Sequence, residues 1–211
     1  MGDFFSWGIF VVAGGSALIG GGRKLLARRR VRQELKARPV LDPSTADGSV
    51  VRVTGIVKML EPLTAPLSGK PCVVYVSRVD PTNWVVRGAA RRGLRETTVV
   101  SPFLVDRGPE GMVLVEGSHA ILDWPPQKLK PRDRIREEQF MLASGVPLKE
   151  RARARFEETI IEEGARVSVA GLIMLDPAEA PTPEERSFRD APAASLRLTG
   201  NVDHPLAIGA C

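Results

Sequence analysis

The chain has 211 residues with two cysteines, two histidines, one tyrosine and a formal net charge of +5. Two isolated thiols exclude a disulfide-stapled secreted scaffold, and His119 and His204 lie too far from Cys72, Cys211 and each other for a zinc-ligand spacing, so no metal site and no cofactor is expected. The charge is local: residues 23–38 hold eight Lys/Arg against the single acid Glu34, Asp3 precedes them, and residues 39–211 are left with about −1, which excludes a nucleic-acid surface for want of both basic footprint and aromatic stacking platform.

The first element is Phe4–Gly22, FFSWGIFVVAGGSALIGGG, nineteen residues without a charged side chain. At the helical rise they span about 28 Å, close to a bilayer's hydrocarbon core, and predict one N-terminal transmembrane helix in residues 1–22. A cleaved signal would carry its basic residues before the apolar run, whereas here Asp3 precedes it. A buried core helix would be shorter and amphipathic. Ala13, Ala17 and Gly21 recur every four residues, with Ser16 and Gly20 beside them, a small-residue stripe that predicts a homodimer contact between two such helices.

Residues 23–44 read as a basic juxtamembrane helix and linker. Arg23, Lys24, Arg28, Arg29, Arg30 and Arg32 flank the anchor, holding anionic headgroups and, by the positive-inside rule, keeping the following domain in the cytoplasm with the N-terminus outside. Leu25, Leu26, Val31 and Leu35 give this stretch an apolar side. Pro39 and Pro43 end it, and the turn formers of Asp42–Gly48 place the start of a domain spanning residues 45–211.

From there the pattern is mainly β. Val50–Val57, Pro71–Val79 and Glu96–Val105 are β-branched runs closed by turn formers, and Met112–Val115 and His119–Leu122 read as short pairing partners. Arg134–Ala143 is the one plausible helix, stopped by Gly145 and Pro147. Ala152–Glu158 alternates small or apolar with polar residues, favouring a strand. Gly48-Ser-Val-Val-Arg-Val-Thr-Gly-Ile-Val57 is echoed by Gly164-Ala-Arg-Val-Ser-Val-Ala-Gly-Leu-Ile173, with glycine, valine, valine, glycine and two aliphatics at the same offsets. Valines two apart pack one face of a strand, and a glycine within it permits the bend a small barrel needs. The echo predicts an OB-like barrel or small sandwich of two similar β-units whose first strands, Gly55 and Gly171 within them, face each other.

Chemistry-bearing motifs are few. Ser68-Gly69-Lys70 is followed by Pro71 rather than Ser or Thr, and position 64 is Thr rather than Gly, so it is no phosphate loop. Asp106, Glu116 and Asp123 read as solvated turn carboxylates. Cys72, inside the β-branched run, reads as a small buried hydrophobe, and Trp124-Pro125-Pro126 as a loop closed by an aromatic. No catalytic residue is expected.

Three stretches carry a family likeness: Thr64-Ala-Pro66-Leu-Ser68-Gly69-Lys-Pro71-Cys72-Val-Val-Tyr75; Ser101-Pro102-Phe103-Leu-Val-Asp106; and Arg155-Phe-Glu-Glu158 leading to Gly164 and Gly171. In this order beside a membrane helix they resemble the GIDE or BAM (beside a membrane) domain over about residues 45–200. The resemblance implies a structural role for Pro66, Ser68, Gly69, Pro71, Cys72, Tyr75, Pro102, Phe103, Glu158, Gly164 and Gly171. It also implies kinship with RING-type E3 ubiquitin ligases. A RING takes eight Cys/His ligands, and this chain has four scattered ones, so ligase activity does not carry over and a prokaryotic-type member is implied. The expected function is a membrane-anchored, cytoplasm-facing protein-interaction domain without catalysis of its own. The alternative is the substrate-recognition component of a ubiquitin-transfer system whose RING comes from another chain.

Overall fold

The computed structural model describes residues 22–42, 44–80, 94–127, 129, 133–175 and 196–211, without the side chains of residues 22–27 and Leu175. The anchor Phe4–Gly22 and its stripe of small residues thus lie outside the described residues, apart from Gly22. Among those described, no helix is long and apolar enough to cross a membrane.

The chain enters as α1 (Gly22–Ala37) and turns through Pro39 into β1 (Val50–Met59). Val51, Val53 and Val57 point inward while Thr54 and Lys58 point to solvent, the period-two alternation that fixes a strand's register. Next come the short β2 (Leu63–Thr64) and β3 (Pro71–Cys72), then β4 (Val74–Asp80) and β5 (Arg95–Val100). They are followed by β6 (Phe103–Asp106), β7 (Met112–Gly117) and β8 (Ala120–Asp123). Helix α2 (Arg134–Ala143) and a 3-10 segment at Leu148–Arg153 lead into β9 (Arg155–Ile161) and β10 (Arg166–Leu175), and β11 (Leu196–Gly200) and β12 (Leu206–Ala210) complete the order.

The protein is mainly β, with a closed five-stranded barrel. Its circuit is β1-β6-β7-β11-β10, with β10 returning to β1, and β12 and β8 extend the sheet beyond β10. All barrel pairings are antiparallel except β7 with β11, which is parallel. Closure leaves the barrel without a free edge. Its interior is filled by Val51, Val53, Val57, Phe103, Val105, Val113, Val115, Val167, Val169, Ile173 and Leu198 with Leu206 and Ile208 of β12, each burial contributing about 1.5–3 kcal/mol. A second sheet, β5-β4-β9, lies in the chain between barrel strands and shares Val74 and Ile161 with the barrel core.

The echoed strands lie edge to edge, β1 pairing β10 antiparallel with Val53 opposite Val169. Equivalent positions make equivalent bonds. Gly48 N donates to the Ile173 carbonyl (3.0 Å) as Gly164 N does to that of Val57 (2.9 Å), and both Ile173 N to Ser49 O and Val57 N to Ala165 O measure 2.9 Å. Gly48 and Gly164 both hold a left-handed backbone, φ 75° and 78°, which glycine adopts without steric cost. Each strand then passes to a further neighbour in matched register: Ile56 to Met59 against Asp106 to Phe103 of β6, and Leu172 to Leu175 against Thr199 to Leu196 of β11. Gly55 and Gly171 are needed for close approach rather than for unusual torsions. A Cβ on Gly55 would stand 2.3 Å from the Asp106 carbonyl oxygen, and one on Gly171 2.8 Å from that of Thr199.

Several sequence-based boundaries move. The run 96–105 is two strands in different sheets, broken where Ser101 N donates to the Val73 carbonyl and its hydroxyl to that of Glu61 (2.9 and 2.8 Å), just before Pro102 with no N–H to offer. Val73 likewise interrupts 71–79 by donating to Ile161 O (2.9 Å). Ala152 and Arg153 belong to the 3-10 segment, so the strand begins only at Arg155. β7 and β8 pair not with each other but with β6 and β11, and with β12. Helix α2 has the expected bounds, capped by Asp133 Oδ1 accepting from Ile135 N (2.9 Å) and Arg136 N (3.2 Å).

Candidate functional site

Two constellations gather the residues singled out in the sequence. The first is the docking of α1 on the outer face of β10, β12 and β8. Val31 and Leu35, one helical turn apart, bury against Ala170 and Ala207, with Ile121 beside them. Gly209 makes the room, since a Cβ there would stand 2.8 Å from Leu35 Cδ1. On the same side of the helix Arg28 and Arg32 converge on Asp123, at 3.7 and 2.5 Å, and Arg28 also donates to the Trp124 carbonyl (3.3 Å). At the helix's other end Arg52 donates to the Leu35 carbonyl (3.0 Å), satisfying one of the acceptors a helix C-terminus leaves open.

Magnitudes decide which contact holds the helix. Arg28 and Arg32 are 40 % and 67 % exposed, so each pairing contributes about 0–1 kcal/mol. The buried Val31 and Leu35 contribute about 1.5–3 kcal/mol each. Apolar burial docks α1, and the ion pairs set its rotation. Asp123 is therefore the acid that orients the docked helix, not the solvated turn carboxylate its sequence context predicted. Arg29 and Arg30 point to solvent, and the side chains of Arg23 and Lys24 lie outside the described residues.

The second constellation is a turn clamped by a buried carboxylate. Glu158 on β9 is wholly buried and sits opposite Ser77 of β4. Its Oε1 accepts from Leu67 N and the Ser77 hydroxyl and its Oε2 from Ser68 N, all at 2.9 Å. Two successive backbone N–H groups aimed at one anion form a nest, and here the chain's own side chain fills it. The turn closes through Ala65 N to Lys70 O and Gly69 N to Ala65 O, both 2.9 Å. Gly69, at φ 71°, lies under the Arg136 guanidinium, which a Cβ there would meet at 2.6 Å. Lys70 pairs with Glu162 at 3.0 Å.

Cys72 closes this cluster from below. It is fully buried, and burial first, then the charges of Glu158 and Glu162, pushes its thiol up to about 12. Burial also raises the Tyr75 phenol. A thiol held that high is no nucleophile at neutral pH.

The structure thus brings Ser68, Gly69, Cys72, Tyr75 and Glu158 together with Pro66 and Pro71 around one turn. Phe103 is instead a barrel-core residue behind Pro102, Gly171 lies against Leu206 and Thr199, and Gly164 is in the β9–β10 turn. Sequence reasoning missed Ser77 and Arg52, and gave Asp123 no partner. The i, i+4 spacing of both Arg28/Arg32 and Val31/Leu35 was the available signal for a docked rather than solvated helix. It also missed Glu150, a buried carboxylate whose two oxygens have no hydrogen-bond partner. Among the described residues, no three His, Cys, Asp or Glu side chains stand where they could hold a metal ion.

A closed five-stranded barrel carrying a basic helix on its outer wall is the class of protein defined here. Neither family models, curated proteins nor solved structures offer a match to the chain.

Proposed function

We propose that the chain is a membrane-anchored adaptor, an OB-type barrel of two similar strand pairs held at the cytoplasmic face by the Phe4–Gly22 helix, which binds a protein partner. The observation that carries the reading is the docking of α1. The helix follows the apolar stretch without a break in sequence, yet its own apolar side is spent on the barrel, so the barrel rides rigidly on the basic flank while Arg29 and Arg30 stay free to meet anionic headgroups. Taken in chain order, the barrel strands run 1-2-3-5-4 with the third and fifth parallel, the arrangement of OB barrels, and this supports the finer fold assignment.

OB barrels often bind nucleic acid on the face of their second and third strands. Here that outer face presents Leu104, Asp106, Met112, Leu114 and Glu116, apolar and acidic where a phosphate backbone needs lysine and arginine. A protein partner fits such a surface better. The motif residues support binding rather than chemistry, since Glu158 has its oxygens engaged by three donors and Cys72 is held protonated. That structural use of Glu158 and Cys72 is what the resemblance to RING-less GIDE/BAM domains implies for them.

The two cysteines make a clean topology test, because Cys72 is buried and Cys211 exposed. In sealed right-side-out vesicles an impermeant maleimide should label Cys211 only after permeabilisation. Labelling of intact vesicles, or recovery of the protein in the soluble fraction after mild lysis, would remove the proposal.

A further inference from the structure

Among the described residues β5 is the one edge strand of more than four residues with no pairing or bridge along its free side. The barrel strands are paired on both sides, and β12 lies between β10 and β8. β8 is four residues long and runs into Trp124-Pro125-Pro126. β9 is bridged by Gln127, whose N–H donates to the Glu158 carbonyl (2.7 Å). β5 bonds to β4 along its six residues and to no strand on its other side. Natural edge strands are blunted by charged side chains, proline, a bulge, shortness or a covering segment. Arg95 and Glu96 charge one end of β5, but its Thr-Thr-Val-Val end has none of these among the described residues and is strongly β-favouring.

We infer that β5 is a docking edge for an extended segment of a partner protein, added antiparallel as a fourth strand, with β-branched or polar residues along its length and a carboxylate opposite Arg95. Backbone N–H and C=O groups along an unpaired edge specify a strand as occupant. Charge specifies its end. Glu96 is already paired with Arg78 across the β4–β5 ladder at 2.5 Å, whereas Arg95 is exposed and has no ion pair among the described residues, so a cross-strand acid there gains what a neutral residue does not. This rests on the adaptor reading for its biological sense, but its test reads β5 alone and stands or falls whatever side of a membrane Cys211 proves to occupy.

β4 supplies the probe, since its side chains already match those of β5 in antiparallel register, while the free side of β5 offers the alternate set of N–H and C=O groups. The full chain in lipid nanodiscs is titrated with a synthetic peptide of the Val74–Asp80 sequence and with its Val79→Asp form, which places a carboxylate across from Arg95. Expected is a slowing of amide exchange confined to residues 95–100, about tenfold or more at saturation, with the Val79→Asp peptide bound up to about fivefold more tightly. Arg95→Glu should reverse that preference. Thr97→Pro and Thr98→Pro form a further pair, because adjacent residues of a strand direct their N–H groups to opposite edges. One breaks the ladder to β4, and the other, still folded by circular dichroism, must lose the peptide. The inference is overturned by unchanged β5 exchange at about 1 mM peptide, by protection elsewhere in the chain, or by β5 amides already protected without peptide and released on dilution, which would make the edge a self-contact.

Discussion

Val53 and Val169 face each other at the centre of the β1–β10 ladder, and around that pair the hydrogen bonds, the left-handed glycines and the onward pairings to β6 and β11 repeat as about a local two-fold axis. Gly55 and Gly171 are equivalent under it. Each is approached by a neighbouring strand's carbonyl oxygen, Asp106 at 2.3 Å and Thr199 at 2.8 Å from where a Cβ would be. Gly55→Val and Gly171→Val should each destabilise by about 1–3 kcal/mol despite valine's better strand propensity. The Gly55 variant should suffer more, since side chains crowd both positions alike but the rigid carbonyl oxygen stands closer at Gly55, 2.3 against 2.8 Å. Thermal midpoints that hold or rise would show that the strands can separate at these points.

Glu158 stabilises the Pro66–Gly69 turn through three donors. Glu158→Gln swaps an acceptor for an NH2 facing an N–H and should cost about 1.5–3 kcal/mol; Glu158→Ala, which orphans all three donors, should cost more. Faster amide exchange at Leu67 and Ser68 than in the rest of the chain would mark the turn as the part released. Uniform exchange across both variants would contradict the clamp.

Cys72 gives a pH dependence with a definite sign. Its folded thiol titrates near 12 against an ordinary value of 9.0, so between those pH values the unfolded chain has lost a proton the folded chain keeps, and stability falls as pH rises. Tyr75, raised by burial, acts in the same direction. Denaturant midpoints should be level up to about pH 9 and decline above it, and Cys72→Ala should flatten much of that decline. An identical slope in the variant would assign the loss to other groups.

Glu150 is buried to 6 % exposure with both carboxylate oxygens unpartnered. Removing an uncompensated polar group from an interior is favourable when the replacement fills its volume. Glu150→Met should therefore raise stability by about 1–3 kcal/mol, read as a higher midpoint with an unchanged denaturant slope. A lower midpoint would mean that the carboxylate has a partner in solution.

The docking of α1 separates apolar from ionic contributions. Leu35→Ala should cost about 2–4 kcal/mol and open α1 to trypsin at Arg29 and Arg30, while Asp123→Ala should cost less than about 1 kcal/mol and lose its effect in high salt. Equal costs would place the ion pairs, not the apolar side, in charge.

What was legible in the sequence was whatever repeats locally. The valine alternation of β1 and β10, the Gly145 and Pro147 stop of α2, and the matching glycines could all be read because their causes lie within a few residues. The partnership of β1 with β10 rather than across a sandwich could not, since strand pairing is decided by residues far apart in the chain. Asp123 could not be told from a solvated acid for the same reason: Arg28 and Arg32 are 91 or more residues away from it. Glu158 stood out as part of a motif, yet its role depends on Ser77 and the turn at Leu67, contacts spanning 81 and 91 residues.

The β1–β10 pairing also sets a timetable. Val50 meets Leu172, and at roughly 5–20 residues per second of synthesis the first strand of the barrel is made several seconds before its partner exists. Closure waits longer still, because β7 receives its parallel neighbour only when Arg197–Gly200 arrives. During that interval β1, β6 and β7 are valine-rich strands with both flanks unpaired, so the growing chain presents two open edges until its last barrel strand is made.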